Sequence, residues 1–180
     1  MNVSLKFVEE EDIESIRQWR NSDLINNVSF SIVHITPEMQ RAWFEKISKE
    51  NSSLNWIIMA NENRVGYAAV KDIDISNRRC EFSSLYIGDT NFLNSGIGAV
   101  AEYLVIEYMY NNFNLQKIFC QVLETNPKVI QLHKKFGFEV EGILKSHYIK
   151  NEKDLSVCIL SLFEEVWENK RSNLKKILFR

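Results

Sequence analysis

The chain has 180 residues, 45% of them hydrophobic and 26% charged, with a formal net charge of −2. That length suits one domain of ~100–200 residues, and 11 Phe, 6 Tyr and 4 Trp exclude a disordered chain. A charge of −2 supplies no general basic field for nucleic acid, although a local backbone site can hold an anionic ligand without net charge.

Residues 4–8 alternate polar and apolar and predict a first strand. Residues 11–20 predict a helix with Ile13 and Ile16 inward and acidic residues in its first turn. Thr36-Pro37-Glu38 predicts a helix start, because Thr caps free N–H groups and Pro fits the first helical position. Met39, Trp43 and Ile47 follow at helical spacing and form one apolar face. Residues 56–60 and 65–75 predict two strands joined by Asn61-Glu62-Asn63-Arg64, and residues 81–87 predict a fourth strand. After Gly96-Ile97-Gly98 comes the clearest helix, with Ile97, Val100, Ala101, Leu104, Val105 and Tyr108 on one stripe. Residues 117–123 predict a fifth strand. Asn126-Pro127 opens a helix that carries Val129, Leu132, His133 and Phe136 inward and stops at Gly137. Residues 138–150 and 155–163 predict a long hairpin turning at Asn151-Glu152-Lys153-Asp154. The stretch 167–180, with Lys170, Arg171, Lys175 and Lys176, predicts a basic, solvated tail helix. No internal repeat or domain boundary interrupts residues 1–180, which read as one domain.

Cys80, Cys120 and Cys158 each lie in an apolar, strand-like run. An odd count without paired spacing argues against a disulfide framework or a metal site, so buried structural thiols and no bound metal are expected. The N-terminus lacks a basic stretch followed by an apolar core, and no apolar run approaches the ~18 residues of a membrane span. A soluble, cytoplasmic protein without a membrane partner is expected; the oligomeric state stays open, a homodimer included.

The central strand, helix and strand make one βαβ unit, so its two strands should run parallel with a right-handed crossover. Both end in loops that open helices, Asn94-Ser95-Gly96-Ile97-Gly98-Ala99 and Thr125-Asn126-Pro127. Ligands of open α/β sheets bind beyond such carboxyl ends, and the free N–H groups of a glycine-rich first turn suit a phosphate. The alternative is a plain tight turn before a helix. Gly96-x-Gly98-x-x-Ala101 with Glu124 also fits a dinucleotide fingerprint. That motif expects its first glycine directly after the strand, whereas residues 88–95 intervene, and it expects further βαβ units downstream where this chain turns to antiparallel hairpin.

These residues resemble a family. Glu81-Phe82-Ser83-Ser84-Leu85-Tyr86-Ile87-Gly88 with Gly96-Ile97-Gly98-Ala99 is similar to the acetyl-coenzyme A signature of GNAT-type N-acetyltransferases. Asn126 and the run Leu132-His133-Lys134-Lys135-Phe136-Gly137-Phe138-Glu139-Val140-Glu141-Gly142 resemble the family's second block. The order of elements fits that family over nearly the whole chain, nearest its ribosomal-protein and spermidine acetyltransferase-like branch. Within that branch, Trp19-Arg20-Asn21 and Trp43-Phe44 are similar to enzymes that acetylate nucleotide-linked amino sugars in pseudaminic acid synthesis.

The resemblance implies that the backbone of Leu85, Tyr86 and Ile87 pairs with the pantetheine arm of acetyl-coenzyme A. It implies that the N–H groups of Asn94, Ser95, Gly96, Ile97, Gly98 and Ala99 hold the pyrophosphate, and that Asn126 contacts the pantetheine. Two positions depart from the family pattern. Leu93 stands where a Gln or Arg is usual, and His133 stands where many members carry the tyrosine thought to protonate the leaving thiolate.

The chemistry is direct attack of a neutral amine on a thioester, with a departing thiol of pKa near ~8.5. A backbone N–H at the splayed end of the fourth strand can serve the developing oxyanion. Glu81 is the candidate proton acceptor, although it also reads as a solvated strand-end charge. His133 is the candidate acid or a core histidine, and at an ordinary pKa of ~6.5 only a minority would be protonated at neutral pH. Arg20 and Asn21 end the first helix where an acceptor enters; His34 and His147 read as surface residues and Trp56 as core.

The fold expected is mixed α/β: a twisted, mostly antiparallel sheet with one parallel pair and helices on both faces. The function expected is acetyl transfer from acetyl-coenzyme A to a small-molecule primary amine, first a nucleotide-linked 4-amino-deoxy sugar, with polyamine or ribosomal-protein amines as the alternative. A non-catalytic acyl-coenzyme A or nucleotide-binding module is the alternative of another class.

Overall fold

Alternating apolar runs assemble into one sheet. This computed structural model describes residues 1–31 and 33–179. Its strands are β1 (Val3–Phe7), β2 (Leu54–Ala60), β3 (Asn63–Asp74), β4 (Arg79–Ile87), β5 (Lys117–Leu123), β6 (Glu139–Lys150) and β7 (Lys153–Phe163). Its helices are α1 (Ile13–Asn21), α2 (Asp23–Asn26), α3 (Pro37–Ile47), α4 (Ile97–Asn112), α5 (Pro127–Phe136) and α6 (Glu164–Leu178). The spatial order of strands is β1-β2-β3-β4-β5-β7-β6. Neighbours pair antiparallel except β4 and β5, which are parallel because α4 crosses over between them. This is the mixed sheet with one parallel pair that the sequence predicts.

Period-2 alternation sends neighbouring residues to opposite faces. Trp56, Ile58, Ala68 and Val70 pack on one face against α4, with Phe136 of α5 and Trp167 of α6. Ile57, Tyr67 and Ala69 pack on the other against Ile16 of α1 and Trp43 of α3. The three cysteines are buried and free. No helix among the described residues is long and apolar enough to cross a membrane.

Local chemistry sets most boundaries. Thr36 caps α3 by accepting from the Met39 N–H at 3.3 Å, and Gly137 stops α5 at φ 104°. Residues 10–12 form a 3-10 turn before α1, tightened by the Asp12 carboxylate accepting from the Glu9 N–H at 2.9 Å. Lys150 pairs with Lys153, so the hairpin turn is the two residues Asn151 and Glu152, with φ 50° and 61°, rather than the four expected. Two left-handed residues match the twist of the flanking strands, which a longer loop would not require.

Three further readings are corrected. The helix α2 was not anticipated; Ser22 starts it by accepting from the Ile25 N–H. Met39 is 48% exposed and Gln40 is buried instead, although both line the same cavity. The tail is no solvated appendage: α6 begins at Glu164, and Trp167 is fully buried against Tyr103 with its indole N–H donating to Glu107 at 3.1 Å. Burying a large apolar side chain is worth roughly 1.5–3 kcal/mol, enough to hold the helix on the core. Arg180 lies outside the described residues.

Candidate active site

β4 and β5 pair only from Arg79 with Lys117 to Glu81 with Phe119 and then part. The cause lies in β4. Val70 pairs with Phe82 but Ala69 with Ser84, so Ser83 is an extra, bulged residue, and a bulge bends its strand and adds twist. Beyond it β4 stays with β3 as far as Ile87, whereas β5 stays with β7 as far as Leu123. The β5-facing edge of Ser84, Leu85, Tyr86 and Ile87 therefore has no strand partner among the described residues, which leaves it open to an extended ligand. A cavity of about 570 Å³ occupies the gap, walled by β4, β5, α5 and, at its far end, by α1, α2, α3 and residues 28–31, 33 and 35.

The glycine loop lies past the end of β4. Asn94 and Gly96 are left-handed at φ 58° and 85°, Gly96 starts α4, and the Ser95 hydroxyl donates to the Phe92 carbonyl. The N–H groups of Gly96 and Gly98 find no acceptor among the described residues. A Cβ built on Gly98 would meet no protein atom within 4 Å, so open space lies in front of the first turn. Leu93 is 38% exposed beside the loop and brings no polar group. Asn126 lines the cavity with its side chain uncommitted to capping α5.

His133 is 5% exposed and lines the same cavity from α5. Its Nδ1 lies 2.7 Å from Oε1 of Glu102, which projects from α4 and is fully buried; the other Glu102 oxygen has no partner among the described residues. Phe82 and Phe138 flank the imidazole at ring-centroid distances of 5.9 and 5.0 Å, and Cys120 lines the cavity beside it. Burial alone pulls the imidazole pKa down, but the Glu102 carboxylate, helped by Cys120, pushes it up to about 10. The ring is therefore cationic at neutral pH, not mostly neutral as an isolated histidine would be.

At the far end, Arg20 donates to the Ser29 hydroxyl and lines the cavity with Ile25, Val28, Phe30 and Trp43. The Lys150 ammonium locks this wall by donating to the carbonyls of Asn26, Asn27 and Ser29 at 2.7, 2.9 and 2.6 Å. Tyr86 lines the cavity, and its hydroxyl is buried without a partner among the described residues; burial, then Tyr67, raises its pKa, so it stays neutral. Asn21 does not join this wall. Its amide is consumed by the backbone of Ile35, donating to the carbonyl at 2.9 Å and accepting from the N–H at 2.8 Å, so it anchors the loop instead of meeting an acceptor.

Residues 5–156 match the family described as an acetyltransferase (GNAT) domain. The chain belongs to the GNAT acetyltransferase family. The spermidine N(1)-acetyltransferase of Escherichia coli (strain K12) is 22% identical over 163 residues, covering 91% of this chain and 87% of the relative. The L-amino acid N-acetyltransferase AaaT of the same strain is 23% identical over 150 residues, covering 83% and 90%. The crystal structure of spermidine N-acetyltransferase from Vibrio cholerae in complex with CoA and spermine superposes with a TM-score of 0.86 at 21% identity, covering 93% of this chain and 98% of that one. The relatives thus name polyamine and amino-acid enzymes, and none of these three names an amino-sugar enzyme.

As a GNAT acetyltransferase the protein takes its acetyl group from acetyl-coenzyme A, and the cleft fits that donor. The open first turn of α4 accommodates a phosphate against free N–H groups, and the unpaired edge of β4 accommodates a pantetheine arm. Among the described residues no group of three or more His, Cys, Asp or Glu side chains is placed to hold a metal.

One expected catalytic residue is displaced. Glu81 is 6% exposed and off the cavity wall, its Oε2 paired with Nζ of Lys71 at 3.3 Å and its Oε1 accepting from Nε2 of Gln121 at 3.4 Å. Gln121 lines the cavity, so an amide that carries no titratable proton stands between Glu81 and any amine. Glu81→Gln should leave kcat within about threefold, because a working general base is worth ~10²–10⁴-fold. A hundredfold loss at unchanged coenzyme affinity would restore Glu81 as the base.

The residue of this cleft that sequence reasoning missed is the buried Glu102. Its signal is a carboxylate at helical spacing from Val105, Ile106 and Met109, all buried, on a helix whose apolar stripe was drawn one residue away.

Proposed function

We propose that the acceptor of this GNAT acetyltransferase is a primary amine on a molecule bearing an anionic group, a nucleotide-linked 4-amino-deoxy sugar. The observation that carries this reading is the charge of the acceptor end. Arg20 lies in its wall and Lys150 behind it, and no Asp or Glu is among the described lining residues. Two cations held at an apolar wall attract a phosphate and repel a polycation. Ile25, Val28 and Phe30 offer a deoxy sugar an apolar surface, with Phe30 held by Tyr148 at a centroid distance of 4.7 Å.

Acetyl-coenzyme A supplies the activated acetyl group, and the residues of the chain do the rest. The free edge of β4 and the first turn of α4 hold the donor in line. The acceptor amine enters past Arg20 and attacks in its neutral form, since no carboxylate on the described wall takes its proton. The His133 cation faces the position from which the sulfur departs.

A polyamine acceptor is the second reading, favoured by the activities in the names of the relatives. It requires a cluster of carboxylates near the mouth, and those of residues 9–14 are paired with cations of the chain or lie off the cavity wall. Lys6 pairs with Glu9 and Glu11, Arg64 with Glu11 and Asp12, and Arg17 with Glu14. An acceptor screen over amino sugar nucleotides, polyamines and peptides, read by thiol release, separates the two. Turnover of sugar nucleotides is expected, with Arg20→Ala raising KM at least tenfold, about the 1.4 kcal/mol of a phosphate contact. Turnover of polyamines alone, unaffected by Arg20→Ala, would overturn the proposal in favour of the second reading.

A further inference from the structure

Glu102 is fully buried on α4, spends one oxygen on Nδ1 of His133 and leaves the other without a partner among the described residues. Nothing in the cleft described above needs a carboxylate there for packing, because its neighbours Val105, Ile106 and Met109 are apolar. A lone buried carboxylate is costly, and replacing such a pair with hydrophobic residues is often neutral or stabilising. The second nitrogen of the ring, Nε2, is not used by Glu102, and His133 lines the cavity. We infer that Glu102 is a positioning residue for acetyl transfer: it fixes the His133 ring and keeps it in its cationic form toward the departing sulfur. The inference rests on His133 being the group that meets that sulfur.

The step concerned is a single proton transfer. The Nε2–H bond of His133 breaks as an S–H bond forms on the departing thiolate, and the ring is left neutral and regains its proton from water. Without Glu102 the ring would carry a proton only in acid; beside it, the ring holds its proton to higher pH. The titratable groups facing the imidazole are Glu102 from α4 and Cys120 from β5, while Phe82 from β4 and Phe138 after α5 contribute uncharged rings.

Glu102→Gln keeps the shape and a hydrogen-bonding oxygen but removes the charge. The measurement is the ratio of wild-type to variant kcat across pH 6 to 9, in which titration of the acceptor amine cancels. The ratio should rise by more than tenfold from the acid end to the alkaline end, as the variant ring loses its proton. A ratio independent of pH makes Glu102 structural and overturns the inference. His133→Gln separates the two layers of argument: full turnover by this variant removes His133 from the chemistry, whereas lost turnover together with a flat Glu102→Gln ratio removes Glu102 alone. Should Glu102→Gln fail to fold, nitrogen NMR of the wild-type imidazole decides. A His133 ring still protonated at pH 8 is expected, and a ring neutral at pH 7.5 overturns the inference.

Discussion

His133→Phe should lower stability by about 3–5 kcal/mol and turnover by at least tenfold. In the sequence His133 shares a stripe with Val129, Leu132 and Phe136, a pattern that by itself gives no reason for lost stability. The structure reverses that expectation for stability. Phenylalanine leaves the Glu102 carboxylate fully buried with neither oxygen paired, the situation in which removing one partner of a buried ion pair is most damaging. For a chain of this length the melting temperature should fall by roughly 10 °C. The double variant His133→Phe/Glu102→Leu replaces both partners with apolar groups and should recover most of the stability while staying slow.

The pair also gives stability a pH dependence. The folded pKa of His133 lies above its unfolded value, so the contribution is complete below ~6.5 and is lost as pH rises toward about 10. Chemical denaturation at a series of pH values should show this decline in the wild type and not in the double variant. A His133→Phe protein with wild-type melting and full turnover would return the residue to the core and end its mechanistic role.

Gly98→Val should weaken coenzyme A binding by about 10–100-fold and leave the fold intact. A side chain there meets no protein atom within 4 Å, so nothing inside the molecule resists it. Valine is also no worse than glycine within a helix, so the melting temperature should not fall. The branched side chain instead fills the space through which the N–H groups at the start of α4 reach a phosphate. Losing a hydrogen bond to a charged group costs about 1.5–3 kcal/mol, which sets the expected range. Calorimetric titration with coenzyme A measures the change directly. Unchanged affinity would place the pyrophosphate elsewhere.

The elements whose signals are local were legible in the chain itself. Thr36-Pro37 starts α3, Asn126-Pro127 and Gly137 bracket α5, and the glycines before α4 mark a turn open to a ligand. Each rests on the backbone preferences of a few consecutive residues, which no distant contact overrides. The parallel pairing of β4 and β5 was legible for a similar reason, since a helical crossover permits only that direction. The roles of the charged residues were not. Glu81 looked like a free strand-end carboxylate until β3 placed Lys71 beside it, and Asn21 looked like an acceptor contact until the loop before α3 brought the Ile35 backbone onto its amide. His133 looked nearly neutral until α4 and α5, packed on the same face of the sheet, set Glu102 against it across 31 residues of chain. Burial and the nearest countercharge govern whether a titratable group is ionised and what it can reach, and both depend on which segments meet in space.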